Sequence, residues 1–147
     1  MISDTHGLLR DEAVEALRGA DAILHAGDVG SVEVLDALKK IAPVHAIRGN
    51  VDVKPWAKKL PLTLTVELGG VKFFLIHNRG ELKRVPEGAG AVIFGHSHKP
   101  LIESTDGVIY FNPGSAGPRR FRLPICVGRM RIEEGRLMPE IIILDEK

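Results

Sequence analysis

Five short motifs follow one another along the chain: Asp4-Thr5-His6, Gly27-Asp28, Gly49-Asn50-Val51-Asp52, Ile76-His77 and Gly95-His96-Ser97-His98. Each directly follows a short apolar stretch. Two Asp, one Asn and four His supply the carboxylate, carbonyl and imidazole donors that divalent cations accept. If the apolar stretches are strands of one sheet region, their ends would gather all seven side chains, enough to hold two cations. Two cations roughly 3.5–4 Å apart lower the pKa of a shared water and clamp the attacking and leaving oxygens of an in-line displacement at phosphorus. The expected chemistry is therefore phosphoester hydrolysis by a metal-activated water. No side-chain nucleophile is needed, and the single cysteine, Cys126, lies in an expected strand without ligand-like neighbours. Asp28 stands alone on its motif and is the natural bridge, since a carboxylate has two oxygens to share between two ions.

The elements that would position these residues change character along the chain. After a strand stub at Met1-Ile2-Ser3, residues 8–17 place Leu9, Ala13, Ala16 and Leu17 on one helical face. Residues 22–25 read as a strand. Ser31 can N-cap a helix that turns Val32, Val34, Leu35 and Leu38 inward, and residues 44–47 read as a further strand. This βαβαβ opening implies parallel strands with right-handed crossovers. From Leu62 the period becomes two: residues 62–68 and 71–76 form a hairpin about Gly69-Gly70, and residues 91–94 a buried strand. Residues 101–105 pair with 108–111 across Asp106-Gly107, and residues 125–132 pair with 137–144 across Glu133-Glu134-Gly135. Residues 53–61 and 78–90, rich in charge, Pro and Gly, read as surface loops that each have room for a short helical turn. Two mixed sheets packed face to face with helices outside would bury every apolar face.

Composition narrows the function classes. At 147 residues and a net charge of +1, the chain reads as one domain, 1–147, with no electrostatic case for extended nucleic-acid binding or for a membrane. One cysteine permits no intramolecular disulfide and fits a reducing, cytoplasmic setting. There is also no apolar run of about 18 residues and no basic-then-apolar leader. A homo-oligomer is compatible with this size.

The ordered motifs resemble those of the calcineurin-like metallophosphoesterase superfamily, and more closely its small bacterial and archaeal phosphodiesterases. Asn112-Pro113-Gly114-Ser115 followed by Pro118-Arg119 resembles a segment that marks this small subfamily, so the likeness runs from Ile2 to Arg119. The resemblance implies a four-layer α/β/β/α sandwich of two mixed sheets flanked by helices. It implies two metal sites bridged by Asp28: Asp4, His6 and His98 complete one, and Asn50, His77 and His96 the other. Asp28, Asn50 and His96 are expected to act at the reacting group together with the activated hydroxide. Two divalent ions follow as cofactors, Mn2+ first, with Ni2+, Fe, Zn2+ and Mg2+ as alternatives. The implied substrate is a small phosphodiester, including nucleotide-derived ones. A non-catalytic reading stands beside this one, because a scaffold subunit of the retromer sorting coat shares the fold.

Around the ligands, Asp52 is expected to hydrogen-bond a ligand histidine, and His25 and His45 to pack in the core or support ligands from behind. Gly7, Gly27, Gly49 and Gly95 would permit tight strand-to-loop turns. Arg48, Arg79 and Arg119 are candidates for gripping the phosphate, while Asn112 and Ser115 would shape the neighbouring loop. Three positions depart from the resemblance. Val51 stands where many members carry the His thought to protonate the leaving group, which favours diesters with good leaving groups over monoesters. Asn78 stands where Gly is usual. Only Met1, Ile2 and Ser3 precede Asp4, short for a ligand-bearing strand, so either the strand begins upstream or its neighbours hold this end.

Overall fold

In the computed structural model, which describes residues 1–145, the amino-terminal third alternates as expected: α1 is Asp11–Leu17, β1 Ile23–His25, α2 Val32–Lys39 and β2 Val44–Ala46. β1 and β2 pair in parallel, with Ile23 opposite Val44 and His25 opposite Ala46. Helix α1 begins at Asp11 rather than Leu8. His6 and Gly7 both take positive φ, 46° and 85°, and the Leu8 amide donates to Thr5 O, so the chain spends these residues turning before it can coil. Ser31 precedes α2 in extended conformation but makes no side-chain cap bond, and Val32 is only half-buried while Val34, Leu35 and Leu38 are buried.

The short amino-terminal stub lies between partners on both sides. Ile2 donates to Leu24 O and Asp4 to Gly27 O, Ala26 donates to Ile2 O, and on the far side Gly128 donates to Met1 O and Ala116 to Ser3 O. Neighbours therefore hold the end that carries Asp4. The resulting sheet runs β2, β1, the stub, β8 (Ile125–Glu133) and β9 (Arg136–Asp145), the last two antiparallel.

The second sheet has the order β3-β4-β5-β7-β6, where β3 is Thr63–Leu68, β4 Val71–Ile76, β5 Ala89–Ile93, β6 Leu101–Thr105 and β7 Val108–Asn112. Both hairpins form in the expected register, Leu68 opposite Val71 and Thr105 opposite Val108, and β5 lies parallel to β4 and to β7. β5 starts at Ala89, two residues before the expected start at 91. Both long loops carry a 3-10 turn, at Pro55–Lys59 and Arg79–Glu81.

Alternation along β1 divides the core: Ile23 packs toward the helices with Ala13, Leu17, Leu35 and Leu38, while Leu24 packs toward the second sheet with Phe73, Leu75, Ile93 and Phe111. The outer face of the second sheet, with Ile76, Val92 and Phe94, is covered by Leu82 and Val85 from the segment after the second 3-10 turn. The layers are thus helix, sheet, sheet and a thin fourth layer of turn and loop. No helix among the described residues is long and apolar enough to cross a membrane. This arrangement brings Asp4, Asp28, Asn50, His77 and the His96–His98 loop together, each just beyond the stub or the end of a strand.

Candidate metal centre

The backbone is unusual where the seven candidates lie. Asp4 (φ 55°), His6 (46°), Asp28 (56°), His96 (73°) and His98 (64°) all occupy the left-handed region. That conformation costs a non-glycine residue on the order of 1 kcal/mol or more, and such residues collect at functional sites. Here all five lie in the loops that follow the amino-terminal stub, β1 and β5.

Hydrogen bonds then leave one donor atom of each key side chain aimed inward. Asp4 Oδ2 accepts from Ser3 Oγ at 2.7 Å and from the His96 amide at 3.1 Å, while its buried Oδ1 has no hydrogen-bond partner. Asp28 Oδ1 accepts the Val51 amide at 3.0 Å, and Oδ2 lies 3.1 Å from His77 Nε2 and 3.7 Å from His6 Nε2. His77 Nδ1 donates to Ala26 O at 2.7 Å, which fixes the tautomer and leaves Nε2 as the inward lone pair. His6 Nε2 and His98 Nε2 sit 3.4 Å apart, with His98 Nε2 3.5 Å from Asp4 Oδ1. Two groups of donors therefore converge tightly enough for an ion, Asp4 with His6 and His98, and Asp4 with Asp28 and His77. Asn50 and His96 lie at the exposed edge, Asn50 Oδ1 3.3 Å from His96 Nδ1, and the His96 ring meets His77 edge-on. Mixed carboxylate and imidazole donors around unmet buried lone pairs fit a divalent cation.

The Val51 amide holds Asp28 Oδ1, and Oδ2 is the oxygen that lies next to His6 and His77, so Asp28 would hold a cation there with its charge.

Asp52 corrects the sequence reading. Its carboxylate bonds no histidine; it accepts from the amides of Val29 (3.1 Å), Gly30 (3.0 Å) and Gly49 (2.9 Å), tying the Asp28 loop to the Asn50 loop. Three convergent amide N–H dipoles stabilise the carboxylate's charge and take the place of a histidine donor. Asp52→Ala should lower the stability of the metal-free protein by about 3 kcal/mol in urea unfolding, since buried amides lose a charged acceptor; a loss below about 1 kcal/mol would contradict this role.

Support also comes from behind. His25, fully buried, lies 3.0 Å from Thr5 Oγ1 through Nε2 and accepts the Gly27 amide at Nδ1, while His45 is half-buried in β2. Asn112 Nδ2 donates to Gly95 O and Ser97 Oγ, and Ser115 Oγ donates to Asp4 O. Ser3 and Thr5 were not singled out by the sequence reading. Their only signal is adjacency to Asp4 in the first motif. Gly49 and Gly95 need no positive φ. They are glycine because a Cβ at Gly49 would collide with Asp28 and one at Gly95 with Ser3 Oγ and Asp4 Oδ2. Asn78 has an ordinary φ of −110° and caps the second 3-10 turn by accepting the Gly80 amide, which explains why Gly is not required there.

The arginines divide. Arg79 pairs with Glu103 (3.3 Å) and lies over the Tyr110 ring at 4.2 Å, away from any phosphate-gripping role. Arg119 Nη1 donates to Leu123 O, and the cation felt by His6 and His98 is that of Arg120. Arg48 stays beside the centre.

Electrostatics divide the bare cluster: burial disfavours charge on Asp4, His6 and His98, whereas Asp28 and His77 are shifted toward their charged forms. Burial pushes the Asp4 carboxyl up to about 6. Burial also raises Asp28, but the adjacent His77 ring and the hydrogen bond from the Val51 amide outweigh it and hold that carboxyl at about 2. Burial lowers His98 to about 4 and His25 to about 3. A buried histidine held neutral stabilises the fold above its unfolded pKa near 6.5, and this contribution fades as pH falls toward 3. Asp4, raised, works in the opposite sense, losing stability as pH rises through 6. His77, which burial lowers but the Asp28 carboxylate, the Ala26 carbonyl and the Asp4 carboxylate raise, works in the same sense as Asp4. His6, His25 and His98, all lowered by burial, outweigh the two, so the metal-free protein should lose unfolding free energy between pH 7 and pH 5. Urea titrations at the two pH values read this directly, and a gain on acidification would refute it.

Residues 1–135 match the family model of the calcineurin-like phosphoesterase superfamily domain. A probable metallophosphoesterase from Methanothermobacter thermautotrophicus is 32% identical over 156 aligned positions, which cover 97% of this chain and 90% of that protein. Among solved structures, one described as a novel archaeal phosphodiesterase superposes with a TM-score of 0.77 at 25% identity, covering 96% of this chain and 97% of the other. Vps29 from Entamoeba histolytica, solved with Zn2+, gives a TM-score of 0.70 at 22% identity over 98% and 97%. That last likeness is one of fold.

Proposed function

The chain belongs to the calcineurin-like phosphoesterase superfamily and is a metal-dependent phosphoric ester hydrolase; we propose that it cleaves small phosphodiesters using two divalent cations held by Asp4, His6, Asp28, Asn50, His77, His96 and His98. The observation that carries this reading is the set of unmet inward atoms: buried Asp4 Oδ1 and His77 Nε2 without partners, facing Asp28 Oδ2 and the paired Nε2 atoms of His6 and His98. Burying such a set without a counter-charge is costly. When bound, a pair of cations supplies an acidified water and positive charge for the phosphoryl oxygens.

The protein's own groups prepare the site. Ala26 O, Val51 N–H, Ser3 Oγ and the His96 amide fix which atom of His77, Asp28 and Asp4 is left free, so little reorganisation of these three is needed on binding. Asn50 and His96, at the open edge, are positioned to meet the substrate's phosphoryl oxygens. Val51 is 44% exposed and brings no proton donor to that edge. A leaving group must then depart without an acid from this position, which favours diesters with acidic leaving groups over monoesters.

The stripped protein titrated with Mn2+ in a calorimeter should take up two ions. The loaded protein should turn over bis(p-nitrophenyl) phosphate faster than p-nitrophenyl phosphate. Faster monoester turnover would overturn the diester assignment. Tight Mn2+ uptake with no turnover of either ester would favour a non-catalytic role, the reading kept open by the fold shared with Vps29.

A further inference from the structure

Beside Asn50, His77 and His96 opens a cavity of about 430 Å3, walled by Arg48, Leu62, Thr63, Ile76, Asn78 and Glu81. Its size lies at the small end of the range that binds small molecules. Its chemistry is mixed in a specific way. Arg48 is anchored through its backbone, whose amide donates to Pro61 O at 2.8 Å, while its buried Nε has no hydrogen-bond partner. Arg48 brings only donors to this lining, so the group that belongs here carries an acceptor. Asn78 has spent its Oδ1 on the Gly80 amide, which leaves its NH2 as a second donor. Leu62 and Ile76 supply apolar walls. The Glu81 carboxylate in the same lining opposes a second anionic group.

From this lining we infer that the cavity is the subsite for one organic substituent of the diester, and that Arg48 is its specificity-determining residue. The group it selects is neutral and flat, with a carbonyl acceptor on an apolar body, as in a pyrimidine nucleoside. The inference rests on the metal-centre reading above, which places the scissile phosphate next to Asn50 and His96. Arg48 acts on binding rather than on the bond being broken.

Two probes share one leaving group: methyl p-nitrophenyl phosphate and thymidine 5′-(p-nitrophenyl phosphate). With Mn2+-loaded protein, kcat/KM for the thymidine ester should exceed that for the methyl ester by about tenfold or more, mainly through KM. In Arg48→Met that ratio should fall by about fivefold or more, again through KM. Leu62→Trp fills the cavity from a side chain that is 64% exposed, so it keeps the fold and should reduce the ratio in the same way. Independently of turnover, titrating the metal-free protein with thymidine should shift the amide resonances of Thr63, Asn78 and Glu81. Failure to hydrolyse either ester in the presence of Mn2+ would bring down the catalytic reading on which the subsite rests. Hydrolysis of both with a ratio near one, or a ratio unmoved in Leu62→Trp, would overturn the subsite alone.

Discussion

Replacing Asp28 by Asn is expected to reduce Mn2+-dependent phosphodiester turnover by about a thousandfold or more, beyond the 10–100-fold typical of losing an outer partner of a metal ligand. The geometry explains the size of the effect. Asp28 Oδ2 lies 3.1 Å from His77 Nε2 and 3.7 Å from His6 Nε2, so together with Asp4 Oδ1 it is an anionic oxygen lying between the two halves of the cluster. Asn keeps the shape and can keep the bond from the Val51 amide through its carbonyl, but it removes the charge both cations would share. The fold should survive, since the substitution is isosteric, and far-UV circular dichroism would show an unchanged spectrum. Calorimetry should show Mn2+ affinity weakened at both sites rather than one. A variant that keeps its rate within about tenfold would mean that Asp28 is not the bridge.

The second large effect is expected from Gly95→Ala. A Cβ at position 95 would overlap Ser3 Oγ and sit 2.6 Å from Asp4 Oδ2. All of these atoms are buried, and Ser3 Oγ is itself bonded to Asp4 Oδ2, so neither can move without breaking the bond that aims the carboxylate. Overpacking of this kind costs about 1–3 kcal/mol, and here the lost hydrogen bond to a charged group adds to it. The metal-free variant should therefore unfold about 3 kcal/mol more easily in urea, and Mn2+ uptake should weaken with it because Asp4 is displaced. Gly107→Ala is the contrast. A Cβ there meets nothing within 4 Å, so only the strain of its φ of 78° is felt, and metal binding should be untouched. Equal Mn2+ affinity in Gly95→Ala and the wild type would show that the close packing at Gly95 does not govern the site.

The two readings of Asp52 illustrate how far sequence reaches into a site. Its place two residues after Asn50 marks it as part of the centre, and it is buried there. Its partners could not be read from that spacing. The amides of Val29 and Gly30 lie more than twenty positions away in sequence and are brought to it by the parallel pairing of β1 and β2, which sets the two following loops side by side. Arg79 makes the same point in the opposite direction. Its guanidinium is chemically suited to grip a phosphate, yet Glu103 on β6 and Tyr110 on β7 claim it first.

What the sequence determined by itself was local. Period-two alternation closed by Gly69-Gly70 and by Asp106-Gly107 specified both hairpins and their registers, because a tight turn leaves two strands only one way to pair. The order and chemical type of the ligand motifs were legible for the same reason, since each motif is a few contiguous residues. The tertiary structure alone decided the rest. It set a stub too short to stand by itself between β1 and β8, gave one oxygen of Asp28 to the Val51 amide, and opened a cavity beside Arg48 from segments up to about fifty residues apart. These outcomes depend on contacts between distant segments, whose distances no local pattern encodes, and they exist only once both sheets have packed.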